Sequence, residues 1–358
     1  MFDRLIGNQR VKETLRRMLA TRRVPGALCF AGEEGVGKKL FALEVAKALN
    51  CRTPAGVEAC DDCPSCARIE RFVWPSADDR DAHKKLIWSA HPDVAMARPY
   101  NRAILVDAMR DLEREANFRP YEGRARIFII EDAEKLNEAA SNALLKTLEE
   151  PPATTHLFLV TQRPAALLPT IRSRCQTVRF SPLAAAEIEA YLLGGDRSSS
   201  ADRKGAKVKK ISQDDARLLA HLSRGSIGRA LATDAESYRR QREAMLDVLG
   251  ALALTNDRAR LLRAAEELND AKRKDEYEPR LEVLENLIHD VWTIALGANT
   301  EQLVNPDVLD QLKKIAARTE GARPARWLRE IEQHRQGFAV NINRKAATDA
   351  LFLSMASQ

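Results

Sequence analysis

The segment from Gly32 to Lys39 has the residue pattern of a phosphate-binding loop, except at its last position. The glycines of the motif are Gly32, Gly35 and Gly37, and its lysine is Lys38. In a working loop of this kind the backbone amides hold phosphate, the lysine reaches the terminal phosphates, and a final serine or threonine hydroxyl binds magnesium. Lys39 occupies that last place, and a protonated lysine has no lone pair for a cation. The pattern therefore indicates a nucleotide site that has kept its loop but lost a magnesium ligand.

An acidic pair, Glu131-Asp132, follows the short apolar run from Ile127 to Ile130. Magnesium coordination in such sites calls for an Asp, and activation of water for the Glu after it, but here the two are reversed. The reversal moves each carboxylate by about one methylene, and a misplacement of ~1 Å can cost about a hundredfold in rate. We therefore expect no intrinsic ATP hydrolysis, while the sequence leaves open whether ATP or ADP still binds.

Four of the six cysteines lie close together with the spacing C-x8-C-x2-C-x2-C, at Cys51, Cys60, Cys63 and Cys66. Four thiolates on one short loop are the ligand set that tetrahedral Zn²⁺ prefers, and a set with no open position serves structure and not catalysis. The alternative is a group of unrelated free thiols. The spacing favours a structural zinc site.

The elements around these residues alternate between strands and helices. Apolar runs at 27–31, 127–130 and 157–160 are typical of buried parallel strands, and 138–150 predicts a helix that ends before Pro151-Pro152. Such alternation favours an α/β fold with a doubly wound parallel sheet and its ligand at the carboxyl ends of the strands. After Pro182 only helical patterns remain.

Composition excludes several classes of protein. The 358 residues include 45% hydrophobic and 30% charged side chains, so the chain is long and apolar enough for two or three folded domains. It shows no apolar stretch of membrane-spanning length and no signal peptide, so we expect a cytoplasmic protein without a membrane partner. The net charge of +6 is compatible with a nucleic-acid partner. Within 71–90, Trp74 and Trp88 could pack locally or contact a partner, and local packing is expected.

Several motifs, in their order along the chain, resemble the AAA+ subunits of bacterial DNA polymerase III clamp loaders. The resemblance is dense up to about residue 185. The motifs are the opening Phe2 to Gln9, the phosphate loop, the four cysteines, His91-Pro92-Asp93, Asn142 to Pro152, and Ser173-Arg174-Cys175.

The resemblance implies three domains. These are an AAA+ P-loop domain at 1–183 with a zinc-knuckle insert at about 51–66, a small helical lid domain at 184–240, and a C-terminal helical collar at 241–358 that serves oligomerisation. A Gly/Ser/Lys-rich insert at about 194–210 within the lid is expected to be mobile.

The resemblance also implies a role for individual residues. The motor subunits of this family have a Ser or Thr, an Asp-Glu pair and a Gly-Ser-x-Arg motif, where this chain has Lys39, Glu131-Asp132 and Gly228. It therefore resembles a subunit that is not a motor. Thr161 stands where AAA+ proteins place a polar sensor of the terminal phosphate, and Arg174 would be an arginine finger reaching a neighbouring subunit's ATP.

The implied partners are the gamma/tau and delta subunits of the loader, the sliding clamp, and primer-template DNA contacted through the assembled ring. The chain would then act as part of the DNA polymerase III holoenzyme, without ATPase activity of its own.

Two other functions stay open at this point. One is an active gamma/tau-like AAA+ ATPase motor. The other is a zinc-dependent nucleic-acid-binding module, although only Arg52 and Arg68 lie in or beside the cysteine loop, and no aromatic residues alternate with them.

Overall fold

Six short strands form one sheet in the amino-terminal half of the chain. They are Ala27–Ala31 (β1), Ile87–Trp88 (β2), Val94–Ala97 (β3), Arg126–Ile130 (β4), Thr155–Thr161 (β5) and Gln176–Arg179 (β6). Their order across the sheet is β2-β3-β4-β5-β1-β6, and all neighbours are parallel except β2 and β3. The strands predicted at 27–31, 127–130 and 157–160 are confirmed.

Helices cover both faces of this sheet, which explains why the inner strands β1, β3, β4 and β5 are buried on both sides. One buried cluster joins the first face to Gln9–Ala20 (α1) and Lys38–Asn50 (α2). A second joins the other face to Val106–Ala116 (α4), Glu138–Glu149 (α5) and Pro169–Arg174 (α6). The short helix Pro64–Ile69 (α3) lies within the cysteine segment. The predicted doubly wound α/β architecture is confirmed.

The computed structural model describes residues 2–76, 79, 81–194, 211–270, 275–298, 303–337 and 343–357. The chain divides into two compact units, residues 1–216 with 223–231 and residues 217–222 with 232–358. The three-domain division stays a prediction. Apart from Gly194, the insert predicted to be mobile lies outside the described residues.

After β6 the described part of the chain contains helices and no strand, as the sequence predicts. These helices are Ala185–Leu193 (α7), Gln213–Leu222 (α8), Ile227–Ala232 (α9), Ala235–Gly250 (α10), Arg258–Leu268 (α11), Tyr277–Ala295 (α12), Leu309–Ala316 (α13), Arg323–Gly337 (α14) and Arg344–Ala356 (α15). In the second unit Trp327 is fully buried, and its indole N–H donates to the carbonyl of Met355 at 3.0 Å. Among the described helices, none is both long and apolar enough to span a bilayer.

Candidate functional site

The phosphate loop connects the end of β1 to the start of α2. Gly35 and Gly37 have φ angles of +74° and +94°, which favour glycine because a Cβ is strained in that region. A Cβ at Gly32 would lie 2.8 Å from the carbonyl oxygen of Phe180, and the Gly32 N–H donates to the carbonyl of Thr161 at 3.2 Å. The three glycines are thus required by the path of the loop.

The side chain of Lys38 turns back into this loop. Its ammonium donates to the carbonyl oxygens of Gly32, at 2.7 Å, and of Glu33. The residue is only 6% exposed, and this burial lowers the pKa of Lys38. The ammonium is therefore held by the backbone of the loop itself.

Lys39 and the acidic pair form two ion pairs beside the loop. The Nζ of Lys39 lies 3.0 Å from Oε1 of Glu131, and the Nζ of Lys135 lies 2.9 Å from Oδ2 of Asp132. Asp132 has a φ of +48°, at the turn that follows β4. Each carboxylate of the pair therefore already has a lysine partner.

These residues do not fit a magnesium ion. A working site of this type offers a hydroxyl oxygen and a carboxylate to the metal. Here an ammonium stands in place of the hydroxyl and contacts the first carboxylate, so positive charge lies beside a carboxylate that would otherwise be open to a cation.

A cleft of about 320 Å³ opens beside the loop, at the carboxyl edge of the sheet. Seven of the eight residues that the sequence assigns to the nucleotide site line it, and Gly32 does not. Those seven are Gly35, Gly37, Lys38, Lys39, Glu131, Asp132 and Thr161. Thr161 is 1% exposed, and its hydroxyl oxygen accepts the N–H of Arg163 at 3.1 Å.

The start of α9 packs directly on the phosphate loop. The N–H of Gly228 donates to the carbonyl of Gly35 at 3.0 Å, and a Cβ at Gly228 would lie 3.0 Å from the Cα of Gly35. This backbone contact was not anticipated from the sequence. Arg229, one position later, lines a separate cleft together with Glu33 and Glu34.

A smaller, mainly apolar cleft adjoins the first one. It has a volume of about 130 Å³ and shares Gly37, Leu40, Ile227 and Leu231 with its neighbour. Its other lining residues are Arg4, Leu5, Ile6, Val36, Phe41 and Tyr191. The two clefts therefore meet at the phosphate loop and the start of α9.

Arg174 lies away from these clefts, at the last position of α6. Its guanidinium contacts Oε1 of Glu149 at 2.7 Å and donates to the carbonyl of Thr170 at 3.0 Å. The two charged side chains are 34% and 50% exposed. Arg174 thus lies partly exposed at the surface, held by one ion pair and by a hydrogen bond to the backbone of its own helix.

The four clustered cysteines converge on one point. Their Sγ atoms all lie within 4.8 Å of one another, with contacts of 3.5 Å (Cys51 to Cys60), 3.9 Å (Cys51 to Cys63) and 3.4 Å (Cys63 to Cys66). Tetrahedral zinc with Zn–S bonds of about 2.3 Å requires sulfur atoms roughly 3.8 Å apart. The cluster can hold a metal ion of this kind.

Backbone and side-chain donors orient these sulfurs. The N–H of Cys60 donates to the sulfur of Cys51, and the N–H of Cys63 donates to the sulfur of Cys60, each at 3.3 Å. The hydroxyl of Thr53 donates to the sulfur of Cys60 at 3.2 Å. Such outer hydrogen bonds stabilise thiolate ligands.

A buried lysine ties this cysteine loop to α2. The Nζ of Lys47 lies 2.7 Å from Glu44 and 3.0 Å from Asp61, and it also contacts Glu70. Burial opposes the charge, but the adjacent carboxylates outweigh it and raise the pKa of Lys47. The ammonium therefore stays charged and links the loop to the sheet domain.

His91 and Asp93 form a second anchor, which the sequence indicated only as part of a motif. The Asp93 carboxylate accepts the backbone N–H groups of Tyr121, Glu122 and Gly123 at 2.6, 3.0 and 2.7 Å. The Nε2 of His91 lies 3.0 Å from Oε1 of Glu122, and Glu122 also contacts Arg68 of α3. The pair thereby fixes the turn before β4 against the cysteine segment.

The chain matches two sequence profiles of one protein family. Residues 7–184 match the profile described as DNA polymerase III, delta subunit, and residues 238–345 match the C-terminal profile of the delta subunit. The DNA polymerase III subunit delta-prime of Bacillus subtilis is 26% identical over 97% of this chain and 95% of its own length.

One further likeness is partial, and another is to a solved structure. The tau subunit of Salmonella typhimurium is 31% identical over 53% of this chain and 27% of its own length. A gamma subunit-related protein of Thermotoga maritima has a solved structure that covers 96% of this chain and 98% of its own chain, at 17% identity and a TM-score of 0.37. Both profiles and the full-length similarity converge on one assignment: the chain belongs to the delta-prime family of bacterial DNA polymerase III clamp-loader subunits.

Proposed function

We propose that this chain works within a cytoplasmic hetero-oligomeric AAA+ ring that opens a sliding clamp and loads it onto primed DNA. Its partners in the ring would be gamma/tau motor subunits and a delta subunit. The family assignment and the similarity of 191 residues of the chain to a tau subunit support this proposal.

Within that ring, we infer that the chain's own nucleotide site does not hydrolyse ATP. The observation that carries this inference is the 3.0 Å ion pair between Lys39 and Glu131. An ammonium in contact with the carboxylate repels a second cation, because like charges a few ångström apart in a partly buried site are strongly unfavourable. The Asp132 carboxylate is paired with Lys135, so it does not readily replace Glu131 as a ligand for magnesium.

Arg174 would instead complete the ATP site of a neighbouring subunit. An arginine supplied in trans neutralises charge that develops on the transferred phosphoryl group. The ion pair with Glu149 does not oppose this role, since partly exposed pairs of this kind contribute only about 0–1 kcal/mol. Arg174 can therefore exchange Glu149 for a phosphate at little cost.

The cysteine cluster would hold a structural Zn²⁺ ion through Cys51, Cys60, Cys63 and Cys66. All four sulfurs are used as ligands, so no position is left for a reactive water. The metal would stabilise a loop that has few apolar contacts of its own.

The decisive experiment is reconstitution with candidate gamma/tau and delta subunits, followed by an assay of clamp loading on primed DNA. We expect a stable complex that loads the clamp only when this chain is present. A chain that does not co-purify with these subunits, or a complex that loads equally well without it, would contradict the proposal. Magnesium-dependent ATP hydrolysis by the chain alone would instead favour a motor.

A further inference from the structure

The segment that follows the cysteine loop extends the sheet beyond β2. The N–H of Val73 donates to the carbonyl of Trp88 at 2.9 Å, and the N–H of Ala90 donates to the carbonyl of Arg71 at 2.6 Å. Phe72 and Ser89 form an antiparallel bridge. Because β2 is antiparallel to β3, residues 71–73 run in the same direction as β3. Trp74 therefore lies near the end of β3, close to Arg98, which follows that strand.

Two aromatic side chains are exposed at this corner of the sheet. Trp74 is 46% exposed and Tyr100 is 51% exposed. The guanidinium of Arg98 lies 5.2 Å from the centre of the Trp74 ring, and the ring of His83 lies 5.0 Å from that of Tyr100. Trp74 packs only in part, with its ring 6.5 Å from that of Phe72, whereas Trp88 packs against Phe128.

The charges at this corner are unbalanced. Arg98 and Arg102 are exposed, and neither is paired with a carboxylate of any residue for which the structure gives a position. The nearby lysines differ in this respect, because Lys84 lies 2.8 Å from Asp81 and Lys85 lies 3.6 Å from Asp79. The corner thus combines exposed ring faces with two arginines that have no carboxylate partner among the described residues.

We propose that Trp74, Arg98 and Tyr100 form a platform for single-stranded nucleic acid, with Arg102 contacting backbone phosphate. Bases stack on aromatic rings and on guanidinium planes, and every base has a face to offer, so binding would show no sequence preference. In a duplex the base faces are already stacked on each other, so duplex DNA could bind this surface only through its phosphates and the two arginines. This proposal goes beyond the proposed function and depends neither on the nucleotide cleft nor on Arg174.

The test uses the full chain and a fluorescein-labelled oligothymidylate longer than ~16 nucleotides, the upper end of site sizes for such platforms. Fluorescence anisotropy at low salt gives Kd. We expect Trp74→Ala and Tyr100→Ala each to raise Kd roughly tenfold, and Trp74→Phe to stay near the parent value because it retains a ring. Arg102→Gln should lower the steepness of the salt dependence, in log Kd per log salt, by about 0.7, because one phosphate contact is lost.

Phe118→Ala provides a matched control. Phe118 is 49% exposed, which is similar to Trp74 and Tyr100. It lies between α4 and β4, at the edge of the sheet where β4 begins and not where β3 ends. We expect its Kd to be unchanged, and melting temperatures confirm that each variant is folded. Absence of binding by the parent chain, unchanged binding by Trp74→Ala and Tyr100→Ala, or an equal loss in Phe118→Ala would each overturn the proposal. A Trp74→Ala variant that binds the oligonucleotide normally but fails to assemble with its partner subunits would assign the corner to a protein contact instead.

Discussion

The Nζ of Lys39 lies 3.0 Å from Oε1 of Glu131, so a lysine ammonium and the first carboxylate of the acidic pair neutralise each other at the end of the phosphate loop. The two positions are separated by 92 residues in sequence, and the parallel sheet brings them to the same edge. The pair places positive charge beside a carboxylate of the phosphate-loop cleft. The substitution at position 39 thus changes the charge of the site as well as removing a ligand.

The first prediction concerns Lys39→Thr in the isolated chain. The variant restores a hydroxyl ligand and frees Glu131, so Mg²⁺ should tighten the binding of a fluorescent ATP analogue by at least about tenfold, a modest share of what a bound divalent ion contributes to charge stabilisation. Hydrolysis should stay at background, because the reversed acidic pair is unchanged. Lys39→Ala, which frees Glu131 without adding a hydroxyl, serves as the control and should respond much less to Mg²⁺. If the parent chain hydrolyses ATP and Lys38→Ala abolishes that activity, this view of the site is contradicted.

The second prediction concerns Arg174→Ala in the reconstituted loader. Loss of an arginine finger lowers the rate at the affected ATP site by about a thousandfold. The steady-state rate of ATP hydrolysis by the complex should therefore fall by the contribution of that one site. The free energy of unfolding of the chain should change by less than about 1 kcal/mol, because the Glu149 pair is partly exposed. Arg172→Ala, on the same short helix, is the matched control and should keep full activity. Equal ATPase rates in the two variants would remove Arg174 from the mechanism.

The strands and the architecture could be predicted from the sequence because a strand buried on both faces has a simple signature. The runs at 27–31 and 127–130 are continuous and apolar, and each ends at polar residues that carry chemistry. The same reasoning brings Gly35, Lys38 and Thr161 to one edge of the sheet, and these residues line one cleft.

The contacts that depend on exact side-chain and backbone positions could not be predicted. Asp132 turns to Lys135 because of a left-handed backbone conformation that no residue pattern announces. The approach of Gly228 to Gly35 needs the tertiary path of α9, although a glycine at the position of a sensor arginine was a signal in itself. The exposure of Trp74 depends on the outer segment pairing with β2, which long-range pairing alone decides.

The third prediction concerns the metal. The chain as isolated should contain about one zinc per molecule, and Cys66→Ser should destabilise it by about 4 kcal/mol or more, because loss of a structural metal belongs to the most damaging class of changes. Metal analysis and thermal unfolding measure the two effects. Cys175→Ala, outside the cluster and half-buried, should retain the zinc. Full metal content in Cys66→Ser would mean that the four thiols are not a ligand set.

The fourth prediction concerns acid. His91 is fully buried; its Nδ1 accepts the N–H of Asp93 at 3.2 Å, and its Nε2 lies 3.0 Å from Glu122, which is the pattern of a neutral ring protonated at Nε2. Burial lowers the pKa of His91 below its ordinary value of 6.5, and the positive charges of Arg68 and Arg52 act in the same direction, although Glu122 and Asp93 oppose them. A second proton would also remove the acceptor that Asp93 needs.

The sign of the effect follows from where protons bind. Above pH 6.5 the ring is neutral in both states and stability does not depend on it. As the pH falls below 6.5 the unfolded chain takes up a proton that the folded chain resists, so the free energy of unfolding decreases by at most about 1.4 kcal/mol per pH unit until the folded-state pKa is reached. His156, whose pKa is also lowered by burial, adds to this loss. Urea unfolding at several pH values between about 7.5 and 5.5 gives the free energy of unfolding. This free energy should fall more steeply with decreasing pH in the parent chain than in His91→Gln, which keeps a hydrogen-bond donor but cannot titrate. Parallel pH profiles for the two proteins would show that the motif anchors the turn without sensing acid.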